Sequence, residues 1–157
     1  MNKKFSFEEY LKENPTPAPA VDIIIKYRGG VVLIDRKYPP LGFAFPGGIS
    51  VKGLSYEQIA IKESKEETGL DIIITDLKHK PFLSYSDPDD DPRYHIPTTV
   101  YRAIGRGILK PDKKEDAKKA WVVNYEELKK LVYEPSVWSM ERHRDIATLF
   151  LKEENYL

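Results

Sequence analysis

The chain has 157 residues, a length that suits one domain, and its 41% hydrophobic and 32% charged residues describe a folded core rather than a disordered chain. Lys+Arg and Asp+Glu are 25 each, a balance that gives no sign of a nucleic-acid or membrane-surface partner. The absence of cysteine excludes disulfides, zinc–thiolate sites and thiol nucleophiles, and no stretch approaches the ~20 apolar residues of a membrane span.

The first residues, "MNKKFSFEEYLKEN", carry no apolar run of the secretory kind, so a cytoplasmic location is expected. Ser6 reads as the cap of a short helix to about Lys12, with Glu9 as its capping-box partner. "NPTPAPA" (14–20) favours extended backbone, because each residue before a proline avoids the helical region. Residues 1–20 therefore read as an N-terminal arm, and 21–157 as the domain. The β-branched runs "VDIIIKY" (21–27) and "VVLID" (31–35), separated by "RGG", form a hairpin signal. Residues 36–48 read as a loop holding one short strand at 42–45. A helix over 56–68 is well marked: Ser55 and Gln58 make a capping box, and Gly69 supplies a left-handed stop. Strands follow at 71–77, 95–105 and 119–123. Asn124 caps a short helix at 125–132, and a long one over 136–154 carries the stripe Val137, Met140, Ile146, Leu149 and Phe150. Trp121 and Trp138 read as core.

Within 56–68, Tyr56, Ile59 and Ala60 share one side, and Glu63, Glu66 and Glu67 continue that side one turn later. A solvated face would set its charges opposite the apolar stripe. Here they run in line with it, at a spacing where like charges repel. The plainest account is a charged surface helix in which Lys62 and Lys65 serve as partners. The other is a cation holding the carboxylates together, and oxygen-only donors suit Mg²⁺ or Mn²⁺. Mg²⁺ shares its shell with phosphate oxygens, so such a site points to a phosphate substrate. Gly47 and Gly48, in "FPGG", permit close backbone approach, and a carbonyl from this turn could complete the metal shell.

Residues 47–70 resemble the Nudix box, G-x5-E-x7-R-E-U-x-E-E-x-G-U with U bulky and apolar. With its first glycine on Gly48, the pattern meets Glu63, Glu66, Glu67, Gly69 and Leu70. Leu54, Lys62 and Ser64 stand where it has glutamate, arginine and U. Two further segments, "IDRKYPPLGFAFPGG" (34–48) and "YSDPDDDPRYH" (85–95), resemble the ADP-ribose pyrophosphatase branch. The second matches S-D-P-x-R-D-P-R-G-H at Ser86, Asp87, Pro88, Asp91, Pro92, Arg93 and His95, and departs from it at Asp90 and Tyr94.

The resemblance implies an α/β protein with the Nudix fold, an α/β/α sandwich around a mixed β-sheet. It implies a Mg²⁺-dependent pyrophosphohydrolase, with Mn²⁺ as the alternative ion, that cleaves the diphosphate of ADP-ribose or a related nucleoside diphosphate derivative. Glu63, Glu66 and Glu67 would be both metal ligands and catalytic carboxylates, with Gly47 adding a ligand. A further catalytic acid from a loop outside the box falls on Glu115. Arg36, Asp87, Arg93 and Asp116 are the substrate-binding candidates, and His95 reads as structural. By analogy the protein is a homodimer, with residues 1–20 as a candidate exchanged arm. The departures at Leu54 and Lys62 leave two alternatives open. One is a Nudix-fold nucleotide-binding or sensor module with weak or no turnover. The other is a Nudix hydrolase of dNTPs or dinucleoside polyphosphates.

Overall fold

The computed structural model describes residues 6–77, 79–110 and 117–157. Strand β1 (Ala20–Tyr27) is apolar almost throughout because both of its faces are covered: Val21, Ile23, Ile24 and Ile25 are all fully buried. Strand β2 (Gly30–Arg36) returns antiparallel to it, with Tyr27 opposite Gly30. The connecting residues Arg28 and Gly29 both have positive φ (47° and 78°), the geometry of a tight hairpin turn whose twist matches the flanking strands. On its other side β1 pairs in parallel with β7 (Thr98–Arg106) along nearly its whole length, from Ala20 opposite Thr98 to Lys26 opposite Ile104.

The remaining strands are β3 (Phe43–Ala44), β4 (Gly47–Ile49), β5 (Asp71–Ile74), β6 (Leu83–Tyr85) and β8 (Ala117–Asn124). The main path runs β3-β2-β1-β7-β5, with β4 on β1, β6 on β7 and β8 on β2. Helix α1 (Phe7–Glu13) precedes the sheet. Helix α2 (Tyr56–Thr68) covers one face over Val21, Ile23, Ile25 and Tyr101. Helices α3 (Tyr125–Val132) and α4 (Glu141–Glu153) cover the other over Ile24, Leu33, Val100 and Val123. The result is the α/β/α sandwich around a mixed sheet that the sequence implied.

Several boundaries differ from the sequence reading. Gly47–Ile49 is a strand, not loop, because its backbone pairs with Ala20, Val21 and Asp22 at the start of β1. The 71–77 strand ends at Ile74, the 42–45 strand shrinks to two residues, and β6 had no sequence signal. The long C-terminal helix is divided: a 3₁₀ turn at Pro135–Val137 is followed by extended backbone, and α4 begins only at Glu141. Tertiary pairing decides this. Trp138 bridges Phe43, the Ser139 N–H donates to the Phe43 carbonyl at 3.0 Å, and the Trp138 indole donates to the Leu131 carbonyl at 2.9 Å.

Helix α2 begins on the full Ser55–Gln58 capping box and stops at Gly69, with φ at 77°. Its buried positions are Ile59, Ala60, Ser64, Glu67 and Thr68, whereas Tyr56 remains 37% exposed, outside the stripe assigned to it. Ser64 is fully enclosed and its hydroxyl has no hydrogen-bond partner. Ser64→Ala removes that orphaned group, so it is expected to stabilise the fold by about 1 kcal/mol. Scanning calorimetry should read this as a Tm rise of about 2–4 °C.

Candidate active site

The C-terminal half of α2, the start of β1, β4 and the segment entering α4 together surround a cavity of about 310 Å³. Glu67 turns inward from α2, is only 5% exposed, and accepts the Gly47 N–H at 2.8 Å. Burial pushes its carboxyl up to about 8; the Gly47 hydrogen bond opposes this, and the charges of Glu63 and Asp22 add to it. Glu63 lies against Gly48 so closely that a Cβ there would stand 2.5 Å from the Glu63 carboxyl carbon. Lys62 bridges the two outer acids, with its ammonium 3.1 Å from Glu63 and 2.6 Å from Glu66. Lys65 instead meets Asp71 at 3.0 Å, off the cavity.

The same cavity is lined by three guanidinium groups, from Arg36, Arg93 and Arg142. Arg36 ends β2 and donates through Nε to the Pro40 carbonyl at 2.8 Å. Arg93 is fixed by Asp91, which accepts its backbone N–H at 3.0 Å, Nε at 2.9 Å and Nη2 at 2.7 Å. Burial alone would raise the Asp91 carboxyl, but these hydrogen bonds and the charges of Arg93 and Arg142 hold it below its usual value. Arg142 is buried, donates to the Ile96 carbonyl at 3.3 Å, and lies 3.5 Å from Asp91 and 3.9 Å from Asp22.

Two further titratable groups close the floor. Burial pushes Asp22 up to about 6, with Arg142 the main opposing charge. His143 is held down to about 3 by burial and by Arg142 and Arg36, and its Nδ1 accepts the Phe45 N–H at 3.3 Å. It is therefore neutral, with its proton on Nε2. Asp22, Arg36, Asp91, Arg93 and Arg142 are the charges that face it. An unfolded histidine titrates near 6.5, so the unfolded chain takes up this proton first. The stability from neutral His143 is complete above that pH and is lost as pH falls toward 3. His143→Asn keeps an acceptor for Phe45 without a titrating ring. Relative to the variant, the unaltered chain should lose stability by up to about 1.4 kcal/mol per pH unit below that point. Urea melts of both proteins at several pH values measure this, and their difference cancels the opposing contribution of Asp22.

Of the residues singled out in the sequence, Gly47, Glu63, Glu66, Glu67, Arg36 and Arg93 meet in this cavity. Asp87 does not line it; it is exposed and caps its own turn by accepting the Asp89 N–H at 2.9 Å. Glu115 and Asp116 lie outside the described residues. His95 holds its loop closed against the Ser86 carbonyl at 3.0 Å, a structural contact. Sequence reading missed Asp22, Arg142 and His143. Only Asp22 carried a signal, as the one charge within "AVDIII". Leu54 sits 40% exposed, so no buried charge is stranded by the absence of a glutamate there.

Among the described residues no three His, Asp or Glu side chains already converge as a metal cage. The donors nevertheless fit a hard divalent ion. They are all carboxylates, one is buried with a single N–H for company, and a lysine ammonium already bridges the other two. Mg²⁺ typically takes only one or two protein carboxylates and completes its shell with water and phosphate oxygens.

An acidic helix end and several guanidiniums thus face one cleft of an α/β protein, beside a mixed sheet held between helical layers. The NUDIX domain profile matches residues 16–142, and the chain belongs to the Nudix family. An ADP-ribose pyrophosphatase of Methanocaldococcus jannaschii is 41% identical over 123 residues, which cover 75% of this chain and 68% of that protein. The likeness to ADP-ribose pyrophosphatases read from the sequence is thus confirmed, and with it a Nudix pyrophosphatase enzyme. A MutT/nudix family protein from Enterococcus faecalis superposes with a TM-score of 0.59 at 30% identity, over 76% of this chain and 51% of that one. A bifunctional NMN adenylyltransferase/ADP ribose pyrophosphatase from Francisella tularensis, complexed with AMP and Mn ion, shares the fold. Its TM-score is 0.69 at 19% identity, over 93% of this chain and 45% of that one.

Proposed function

We propose that this chain is a divalent-metal-dependent pyrophosphohydrolase that cleaves the diphosphate of ADP-ribose or a related nucleoside diphosphate derivative, with Mg²⁺ as the ion and Mn²⁺ able to replace it. The observation that carries this reading is one cavity lined by three carboxylates of α2 and three guanidiniums. Guanidiniums grip phosphate oxygens directly. Carboxylates repel them unless a cation lies between, so the two sets together suit a metal-bound diphosphate. The M. jannaschii relative, named for this activity, supports the substrate.

Glu63, Glu66 and Glu67 would hold the ion, with the Gly47 backbone beside them. When bound, it neutralises phosphate oxygens and lowers the pKa of a coordinated water. Arg36 and Arg93 orient the diphosphate, and a carboxylate of α2 takes the proton from the attacking water. The water oxygen bonds to one phosphorus as that atom's bond to the bridging oxygen breaks, and the bridging oxygen leaves on the other phosphate. ADP-ribose would give AMP and ribose 5-phosphate. Glu115 remains the candidate for a further catalytic acid and Asp116 for a substrate contact.

In this reading the protein works in the cytoplasm as a homodimer on a small nucleotide, without nucleic acid or membrane. Its equal numbers of acidic and basic residues support the last point, and no described helix is long and apolar enough to cross a membrane. The test is chromatography of ADP-ribose incubated with the protein and Mg²⁺, beside dNTPs and dinucleoside polyphosphates. AMP should appear with ADP-ribose and vanish with a chelator. Binding without turnover of any compound would favour a nucleotide-binding module, the reading to which Lys62 in the acidic cluster lends weight.

A further inference from the structure

Asp22 is an anomaly in the sheet. It interrupts a strand whose neighbours Val21, Ile23 and Ile24 are fully buried, and is itself only 7% exposed. Its Oδ2 has no hydrogen-bond partner; Arg142 Nε and His143 Nδ1 stand 3.9 Å away, and His143 Nδ1 is already taken by Phe45. Arg142 is the opposing charge but stands beyond hydrogen-bond reach, and a buried acid without a matched donor costs stability. Side chains that break a local rule without structural return are expected at functional positions.

The remaining exposure of Asp22 opens onto the cavity, where Oδ1 lies beside Gly47: a Cβ on that glycine would come within 2.5 Å of it. The cavity also has apolar walls, from Ala20, Ile34, Phe45, Ile96 and Met140. These share the cavity with its carboxylates and guanidiniums, and apolar surface beside a polar acceptor is how proteins seat an uncharged, partly flat group and fix its orientation. A phosphate would be repelled by this carboxylate. The charges that act on Asp22 are the guanidiniums of Arg142, Arg36 and Arg93 and the carboxylate of Asp91.

We propose that Asp22 is a specificity-determining residue that accepts a hydrogen bond from a hydroxyl or amino group of the nucleoside part of the substrate, while the diphosphate is held elsewhere in the cavity. This rests on the proposed function. Arg142 and His143 act behind Asp22 as positioning residues, holding the carboxylate at the floor.

The test compares two probes by calorimetry in the presence of Mg²⁺: α,β-methylene ADP-ribose, which has the nucleoside, and methylenediphosphonate, which has only the diphosphate mimic. Asp22→Asn keeps the shape but removes the charge, and should weaken the nucleoside-bearing probe about tenfold, the worth of one charged hydrogen bond. Methylenediphosphonate affinity should not fall, because the variant only removes a negative charge that repels phosphate and acts on Glu67. Asp22→Ala should weaken the first probe at least as much, and the Asn variant decides the matter should the Ala variant not fold. Equal losses for both probes, or no loss for either, would overturn the role of Asp22. Failure of the unaltered protein to bind the ADP-ribose analogue would instead overturn the proposed function.

Discussion

Glu67→Gln is expected to lower kcat for ADP-ribose hydrolysis by about 10²- to 10⁴-fold, the range associated with loss of a positioned acid–base group. Glu67 is the most enclosed of the three carboxylates, and its contact to the Gly47 N–H ties the end of α2 to β4. Glutamine still offers an oxygen to that N–H and has nearly the same volume. The fold should therefore survive, with a circular dichroism melt within a few degrees of the unaltered protein, while charge is lost where the metal and water are handled. A loss of only two- or threefold in a steady-state assay would mean that the ion is held elsewhere.

The paired glycines should separate fold from activity. At Gly47 an added Cβ would lie 2.2 Å from the Val21 carbonyl, which is backbone held in the β1–β4 ladder and cannot swing aside. Gly47→Ala is thus expected to cost about 3 kcal/mol of stability through forced overpacking. At Gly48 the obstacles are the Glu63 Cδ and Cγ, at 2.5 and 2.8 Å, the outer part of a flexible side chain. Glu63 can rotate away, so the fold of Gly48→Ala should hold within about 1 kcal/mol while its kcat falls about 10²-fold, as when a catalytic group is misplaced by an ångström. Thermal melts and kinetics on both variants decide this. Equal effects in both would show that Glu63 is not held by its contact with Gly48.

The elements that sequence reading placed well are those specified locally. Helix α2 carries its own start and stop in Ser55, Gln58 and Gly69, and the β1–β2 hairpin its own turn. The C-terminal helix was misread because Val137 and Met140 continue an apolar stripe that is real. What divides it is Trp138 and Ser139 pairing with Phe43, nearly a hundred positions earlier. Strand β4 was missed for a similar reason: two glycines have little strand tendency, and only the waiting edge of β1 gives them one.

The site divides along the same line. Its acidic half was legible because one helix holds Glu63, Glu66 and Glu67 in line with buried positions, so helical periodicity alone groups them. The floor was not. Asp22 comes from the first strand and Arg142 and His143 from the last helix, and nothing in their local sequence tells that they meet.

The most direct test of a divalent ion set against the acidic end of α2 is a crystal structure of the protein with Mn²⁺ and α,β-methylene ADP-ribose, with the metal located by anomalous scattering. The ion should lie about 2.1 Å from carboxylate oxygens of at least two of Glu63, Glu66 and Glu67 and from a phosphate oxygen of the analogue, with the Lys62 ammonium displaced from between Glu63 and Glu66. Manganese bound only at other residues, with Lys62 still bridging the two glutamates, would contradict the account.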